Sequence, residues 1–229
     1  MTILGIDSSA VSAGCAIVRD GRVLSEGFVN IGLTHSQTLM PLIDNTLAGA
    51  GMDLDELDAI AVSYGPGSFT GVRIGIATVK GLAFAKDIPC VGVSTLAAIA
   101  HGAACADGVL CPVMDARREQ VFNALFDCRD GILARRCDDR AVSIDELAEE
   151  ISSIDSTVWL CGDGAQLCMD RLGKRCLNVR MVPESVRWQR GYGVVMASEG
   201  LPTVDAASLV PVYLRLPQAE RELRARKQQ

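Results

Sequence analysis

Ser63-Tyr-Gly-Pro-Gly-Ser-Phe-Thr-Gly-Val-Arg-Ile-Gly75 places four glycines between an apolar run and a helical pattern. Residues 58–64 predict a buried strand, and Val72, Ile76 and Val79 then recur at helical spacing. A strand, a glycine loop and a helix form many phosphate sites, because bare backbone N–H groups can approach an anion there. The order and spacing of the residues match neither a P-loop nor a dinucleotide-binding turn, so neither nucleotide-binding motif is predicted.

The segments around this stretch predict a first lobe over residues 1–104. Three strands come first, with Asp20-Gly21 as the tight turn between the second and third. A long helix and a capping-box turn at Asp53 and Glu56 precede the quoted strand and helix. The predicted ranges are 3–6, 14–18, 23–29, 36–50, 58–64, 70–86, 90–93 and a last helix through residue 100. The order is therefore βββαβαβα.

The same order recurs in reduced form and predicts a second lobe over residues 105–229, which include a basic C-terminal tail. Strands are predicted at 109–114, 120–126, 132–136 and 157–161, and helices at 143–151 and 163–172, the last closed by Gly173. A duplicated βββαβαβα is the plan of the actin, sugar-kinase and Hsp70-like (ASKHA) superfamily, in which a nucleotide lies between two lobes. The predicted fold class is therefore two-lobed α/β of the ASKHA type, and this analogy alone does not give function.

Composition limits the class of protein. The chain has 229 residues, 49% of them hydrophobic, and a formal net charge of −6 at pH 7. No apolar run approaches the roughly 20 residues of a membrane helix and no basic leader is present, so we predict a cytoplasmic protein without membrane contact. The nine cysteines are odd in number and lie mostly in apolar strands, which predicts buried reduced thiols.

The acidic balance argues against a self-sufficient nucleic-acid binder. Residues 215–229 are a local exception, because arginine and lysine outnumber the acids there. They are either a solvated, partly helical terminus or a basic patch that helps a larger complex to hold RNA.

Candidate ligand residues follow the first strand and the quoted strand. Asp7, Ser8 and Ser9 occupy the position that, in the ASKHA superfamily, faces the nucleotide phosphates and the metal-bound water. Asp7 would organise a magnesium hydration shell while the serines donate to phosphate, or these residues form a turn that satisfies its own backbone. The candidate cofactor-binding residues are Asp7, Ser8, Ser9, Gly65, Gly67 and Ser68.

The second lobe has two comparable positions. Asp115-Ala-Arg-Arg118 follows its first strand as Asp7 follows the strand before it, and Gly162-Asp-Gly164 joins a strand to a helix. Neither matches the long glycine-rich adenine signature of a superfamily kinase. A surface salt bridge for the arginines, and a plain turn for the glycines, are the alternatives to ligand contact.

Neither histidine has a metal-ligand partner one helical turn away, since Leu39 stands four residues after His35 and small residues follow His101. A catalytic metal is therefore not predicted, and His35 is expected to start its helix. No Gly-x-Ser-x-Gly elbow is present, and no serine or cysteine has a credible histidine partner. A hydrolase triad is not predicted either.

Gly71 and Gly75 lie four residues apart and share a helix face. Because each glycine costs a helix about 1 kcal/mol relative to alanine, the pair predicts close contact with another helix. That helix is either the one at residues 36–50 or a helix of another subunit. On the second hypothesis, Gly75→Leu weakens association and leaves the chain folded.

Several motifs together resemble the TsaB (YeaZ) family of bacterial tRNA threonylcarbamoyladenosine biosynthesis proteins. They run in order through nearly the whole chain and are strongest over residues 1–125. These motifs are Ile6-Asp-Ser-Ser9, His35-Ser-Gln, Gly65 to Gly75, Lys80-Gly-Leu-Ala83, Val93-Ser-Thr-Leu96, Asp115-Ala-Arg117 and Pro211-Val-Tyr-Leu-Arg215.

The resemblance implies a non-catalytic scaffold for threonylcarbamoyl transfer to N6 of adenosine 37 in tRNAs that read codons beginning with A. It implies the paralogue TsaD and the ATPase TsaE as partners, tRNA contact through the complex, and a homodimer when alone. No cofactor is required, although weak nucleotide binding at the interlobe cleft or at the TsaD interface is possible. The paralogue's His-x-x-x-His metal motif is broken here by Leu39.

In the family, the two helices predicted at 36–50 and 70–86 form the partner interface. The implied interface residues are His35, Leu39, Met40, Ile43, Leu47, Thr70, Gly71, Ile74, Gly75 and Thr78. Two other functions stay open at this point: an independent ATPase or small-molecule kinase that uses Asp7 and the cleft, and a metalloprotease, against which the absent second ligand argues.

Overall fold

The computed structural model describes residues 1–172 and 176–215. Its first sheet has the order β3-β2-β1-β4-β5. The strands are β1 (Thr2–Asp7), β2 (Ala13–Arg19), β3 (Arg22–Val29), β4 (Ala59–Gly65) and β5 (Cys90–Ser94). The helices are α1 (His35–Ala50), α2 (Phe69–Lys86) and α3 (Thr95–Gly102), with a 3-10 turn at Leu54–Glu56. The predicted order βββαβαβα is confirmed.

Local chemistry accounts for these boundaries. Asp20 and Gly21 both have positive φ, as the predicted tight turn between β2 and β3 requires. Gly51 ends α1 in the left-handed conformation, and the Ser68 hydroxyl caps α2 by accepting a hydrogen bond from Gly71 N. The first core lies between the sheet and the two long helices, where Ile43 and Val79 are fully buried.

The second sheet has the order β10-β7-β6-β11-β12, with a hairpin of β8 and β9 that also pairs with β6. Its strands are β6 (Gly108–Asp115), β7 (Gln120–Asn123), β8 (Phe126–Arg129), β9 (Ile132–Arg135), β10 (Arg140–Ser143), β11 (Val158–Cys161) and β12 (Val179–Met181). The central strand of each sheet has one antiparallel and one parallel neighbour in this order. The two lobes therefore share one topology, and the predicted duplication is confirmed.

The second lobe departs from the prediction in its short elements. The predicted strand 120–126 is broken at Ala124 and Leu125, because β7 pairs with one end of β6 and β8 with the other. Helices α4 (Ile144–Ser152) and α5 (Ala165–Leu172) lie where expected. Strands β10 and β12 and helices α6 (Glu184–Arg187) and α7 (Gly191–Ala197) are missing from the prediction, because three to seven residues carry too little periodicity.

The chain after α6 returns to the first lobe. Gly191 abuts the backbone of Cys15, Leu209 is buried in the first core, and Val212 N donates to Tyr64 O at 2.8 Å. Residues 191–212 therefore pack on the first lobe, although the sequence assigns them to the second lobe. The boundary between residues 104 and 105 stays a prediction, and residues 216–229 of the basic tail and Gly173 lie outside the described part of the chain.

Seven of the nine cysteines are buried, as the sequence predicts, and none is joined in a disulfide. No helix within residues 1–172 and 176–215 has the length and apolar character needed to cross a membrane.

Candidate ligand cleft and helix surface

Asp7, the last residue of β1, lies in the interior of the first lobe. The side chain is fully buried. Its Oδ1 accepts hydrogen bonds from Ser9 N at 2.9 Å and Ser9 Oγ at 2.8 Å, and its Oδ2 accepts from Ser63 Oγ. Burial raises the pKa of Asp7, and these donors oppose the shift. The arrangement is the self-satisfied turn that the sequence leaves open as an alternative.

Ser8 fills the glycine face of α2. A Cβ atom on Gly71 would lie 2.1 Å from Ser8 O, and one on Gly75 would lie 2.5 Å from Ser8 Oγ. Ser8 Oγ also donates to Gly71 O at 2.9 Å. The loop at Ser8 occupies most of this face, and of α1 only His35 comes close, 3.3 Å from a Cβ on Gly71. Gly75→Leu would consequently disturb the fold and cannot serve as an interface probe. Contact of this face with a helix of another subunit stays a prediction.

The glycine loop before α2 packs closely against the backbone of neighbouring segments. Gly65 and Gly67 have φ of 128° and 159°, and a Cβ on either would collide with a carbonyl oxygen, that of Val212 or of Ser9. Ser68 N donates to Ser9 O at 2.7 Å. These glycines are therefore needed for close approach between chain segments.

A cleft of about 480 Å³ lies between the lobes. Ser9, Gly67 and Ser68 line it from the first lobe, and Asp115 and Asp163 face them from the second. The other candidate cofactor residues, Asp7, Ser8 and Gly65, do not line it. Nucleotide binding in this cleft stays a prediction that rests on three of the six residues.

The second-lobe wall of the cleft contains a tight turn. Arg117, Arg118 and Glu119 all have positive φ, between 56° and 64°. Asp115 Oδ1 accepts from Arg117 N at 2.7 Å, and its Oδ2 lies 3.1 Å from the Arg117 guanidinium. A surface salt bridge, the predicted alternative to ligand contact, is therefore present between Arg117 and Asp115.

Asp163 lies beside this turn, after β11. Gln189 Nε2 donates to Asp163 Oδ1 at 2.7 Å. Burial raises the pKa of Asp163 to about 6, and the Asp115 charge adds to the shift. Neither Gln189 nor this raised pKa is foreseen from sequence, because the glutamine follows Asp163 by 26 residues without any motif.

His35 is the first residue of α1, as expected, and its Nε2 lies 2.7 Å from Ala10 O. Leu39, one turn later, is buried in the first core. Burial lowers the pKa of His101. Within residues 1–172 and 176–215, no group of three or more His, Cys, Asp or Glu side chains is arranged to hold a metal ion.

The predicted interface residues divide into two groups. Five are buried in the chain's own interior and cannot form an open surface: Leu39, Ile43, Leu47, Gly71 and Gly75. The others are exposed or half-buried along α1 and α2: His35, Met40, Thr70, Ile74 and Thr78. The role of the second group stays a prediction.

Two further apolar residues on or beside these helices are exposed and are not predicted from the sequence. Leu33 is 53% exposed before α1, and Phe84 is 87% exposed near the end of α2. Phe84 follows Ala83, which lies on the buried face of α2. The helical spacing of that face therefore could have identified Phe84 as an exposed apolar residue.

Comparisons with known proteins bear on this arrangement. Residues 31–165 match the family model of TsaD, tRNA N6-adenosine threonylcarbamoyltransferase. The chain is 33% identical over 224 residues to the tRNA threonylcarbamoyladenosine biosynthesis protein TsaB of Bacillus subtilis, and the match covers 96% of each chain.

Solved structures agree with the fold. A Pseudomonas aeruginosa structure, described as an uncharacterized protein with similarity to peptidase YeaZ, is 27% identical with a TM-score of 0.78, covering 93% of this chain and 99% of that one. Component A of (R)-2-hydroxyglutaryl-CoA dehydratase from Acidaminococcus fermentans is 14% identical with a TM-score of 0.53, covering 86% and 96%, and shares the fold alone. The predicted ASKHA fold class is confirmed.

Proposed function

The chain belongs to the TsaB family of tRNA threonylcarbamoyladenosine biosynthesis proteins, as its motifs predict, and we propose that it is a non-catalytic scaffold of that pathway. Its relatives imply a TsaD-family partner. In this proposal the partner, with TsaE, transfers threonylcarbamoyl to N6 of adenosine 37 of cytoplasmic tRNA. The chain binds and activates the partner, and tRNA is contacted within the complex.

The observation that carries the proposal is an apolar surface on α1, α2 and the segment before α1, called here the helix surface. It consists of Leu33, Met40, Ile74 and Phe84, with Thr70 and Thr78 beside them. Phe84 is 87% and Met40 is 40% exposed, and a large apolar side chain at such exposure favours protein contact. Helices α1 and α2 contact each other, so two neighbouring helices present these side chains.

Two observations support a role without chemistry. The Nε2 atom of His35 is engaged by Ala10 O, and the second position of the paralogue's metal motif is the buried Leu39. Asp7, the acid on which a kinase or ATPase would depend, directs both carboxylate oxygens to Ser9 and Ser63. These side chains serve the fold in the described structure.

The proposal is tested by measuring the affinity of the chain for the TsaD-family protein of the same organism. We expect Met40→Asp and Phe84→Asp each to weaken binding at least tenfold, because a charge must then be buried at the interface. Ile132→Asp is the matched control, since Ile132 is 75% exposed on the second lobe. Circular dichroism checks that each variant is folded.

Equal affinity for the unchanged chain and the three variants would show that the partner binds outside the helix surface, and would remove that surface from the proposal. Failure of the unchanged chain to bind the TsaD-family protein at all would contradict the scaffold function itself.

A further inference from the structure

A carboxyl–amide pair spans the return of the chain from the second lobe to the first. Asp163 follows β11 at the cleft wall, and Gln189 lies in the short connection between α6 and α7. Their hydrogen bond, from Gln189 Nε2 to Asp163 Oδ1, is 2.7 Å long. Gln189 is 1% exposed, so solvent does not compete for it.

The connection that carries Gln189 is seated on the first lobe. A Cβ on Gly14 of β2 would lie 3.4 Å from Gln189 O and 3.1 Å from Arg190 Cα. Gly191, two residues after Gln189, abuts Cys15 in the same strand. The hydrogen bond between Asp163 and Gln189 therefore joins the second lobe to a segment that is fixed on the first.

One atom of the pair lacks a counterpart. Gln189 Oε1 is buried and has no hydrogen-bond partner among the described residues. A buried acceptor without a donor is unfavourable. A proton on Asp163 would supply that donor: the carboxyl O–H would donate to Oε1 while Oδ1 continues to accept from Nε2. Both side chains would then form a closed, two-bond pair.

The surroundings of Asp163 favour its neutral form. Burial is the main cause of its raised pKa of about 6, and the Asp115 charge raises it further. Hydrogen bonds from Gln189 and from the backbone of Asp163 and Asp115 oppose this shift without cancelling it. The other charged groups at this wall are Arg117, which pairs with Asp115, and Arg215, which donates to Ala116 O. On α6, Arg187 pairs with Glu184, and its carbonyl accepts from Gly162 N.

We propose that Asp163 and Gln189 form a proton-dependent pin between the two lobes. When Asp163 carries a proton, both hydrogen bonds form and the lobes are held together across the cleft. When Asp163 ionises, it no longer supplies a donor to Gln189 Oε1, which is left buried without a partner, and the pin loosens. The pin does not depend on the partner or on the scaffold function.

The direction of the pH effect follows from the two protonation equilibria. The pKa of Asp163 is raised in the folded chain from its ordinary value of 3.8 to about 6. The folded chain therefore binds the Asp163 proton more tightly than the unfolded chain does. The stabilisation of the fold by this proton is complete below pH 3.8 and is lost as pH rises through about 6.

The variant Asp163→Asn separates the pH effect of Asp163 from the pH effects of the other ionisable groups. Asparagine supplies an N–H donor and keeps one acceptor, so it can close the pair at every pH. Asp170→Asn is the matched control, since Asp170 is an exposed acid on α5 that accepts from Gln166 Nε2. Both variants and the unchanged chain are compared by hydrogen–deuterium exchange over residues 188–197, corrected for the intrinsic pH dependence of exchange.

Between pH 5 and pH 7 we expect protection of this segment to fall about tenfold in the unchanged chain and in Asp170→Asn, and less than twofold in Asp163→Asn. An equal fall in all three proteins would overturn the proposal. Carbon NMR of the unchanged chain gives an independent decision if Asp163→Asn does not fold. A carboxyl midpoint near pH 6, shared by the Gln189 side-chain amide, supports the pin, and a midpoint below pH 5 contradicts it.

Discussion

The turns after β1 and β6 occupy the same place in two lobes of one topology, yet they use their aspartates differently. Asp7 is fully buried and accepts from Ser9 and Ser63. Asp115 is 29% exposed at the cleft and holds Arg117. The duplicated fold therefore keeps an aspartate at the same position in both lobes but not the same role for it. The role of each aspartate follows from the donors that surround it.

The reason for the difference lies in what packs against each turn. Helix α2 offers Gly71 and Gly75 to the turn after β1, and the absence of side chains lets Ser8 sit against the helix backbone. The end of β6 packs instead against the loop before α5, where a Cβ on Gly164 would lie 3.1 Å from Asp115 N. The turn that follows closes through three residues of positive φ at Arg117, Arg118 and Glu119. The first turn has become part of the core, and the second remains at the cleft.

The largest expected effect distinguishes the two aspartates. Asp7→Ala leaves three buried donors from Ser9 and Ser63 without an acceptor, which should lower the free energy of unfolding by about 3 kcal/mol. Asp115→Ala removes a half-exposed pair and should cost less than about 1 kcal/mol. Urea unfolding at pH 7 measures both variants. Similar losses for the two would contradict the distinction between a core turn and a cleft turn.

A smaller effect tests the glycine face on which the first turn rests. Gly71→Ala should destabilise the chain by about 2 kcal/mol, because the new Cβ meets the Ser8 carbonyl and the backbone must shift. Gly81→Ala, in the same helix, meets no atom within 4 Å and should stabilise it by up to about 1 kcal/mol. Thermal unfolding of both variants compares them. Changes of the same sign for the two variants would contradict the close packing of Ser8 against the glycine face.

The first lobe could be predicted from sequence nearly to the residue. Its strands alternate with long periodic helices, and turn signals such as Asp20-Gly21 mark the boundaries. The second lobe could not be predicted so well, because β12 has only three residues and α7 begins Gly191-Tyr-Gly193, a poor helix sequence. These elements form through contact with the rest of the fold, as Gly193 does against Ala98 O.

The candidate site shows the same limit. The pattern of Gly71 and Gly75 correctly predicts a close approach, but spacing alone cannot tell a helix from the loop at Ser8. Likewise, Asp7 can be recognised as a buried-strand acid, whereas its donor Ser63 lies 56 residues away and is joined to it only by the fold. Sequence identifies which residues are special and leaves their partners to the structure.

The central claim, that this chain supports threonylcarbamoyl transfer without performing it, is tested most directly by reconstitution. Purified chain, the TsaD-family protein and TsaE are incubated with threonylcarbamoyl-AMP and tRNA, and modified adenosine is measured by mass spectrometry. We expect modification to require the chain, to fall at least tenfold with Phe84→Asp, and to continue with folded Asp115→Ala. Full modification without the chain would contradict the claim, as would robust ATP turnover by the chain alone that Asp7→Asn abolishes.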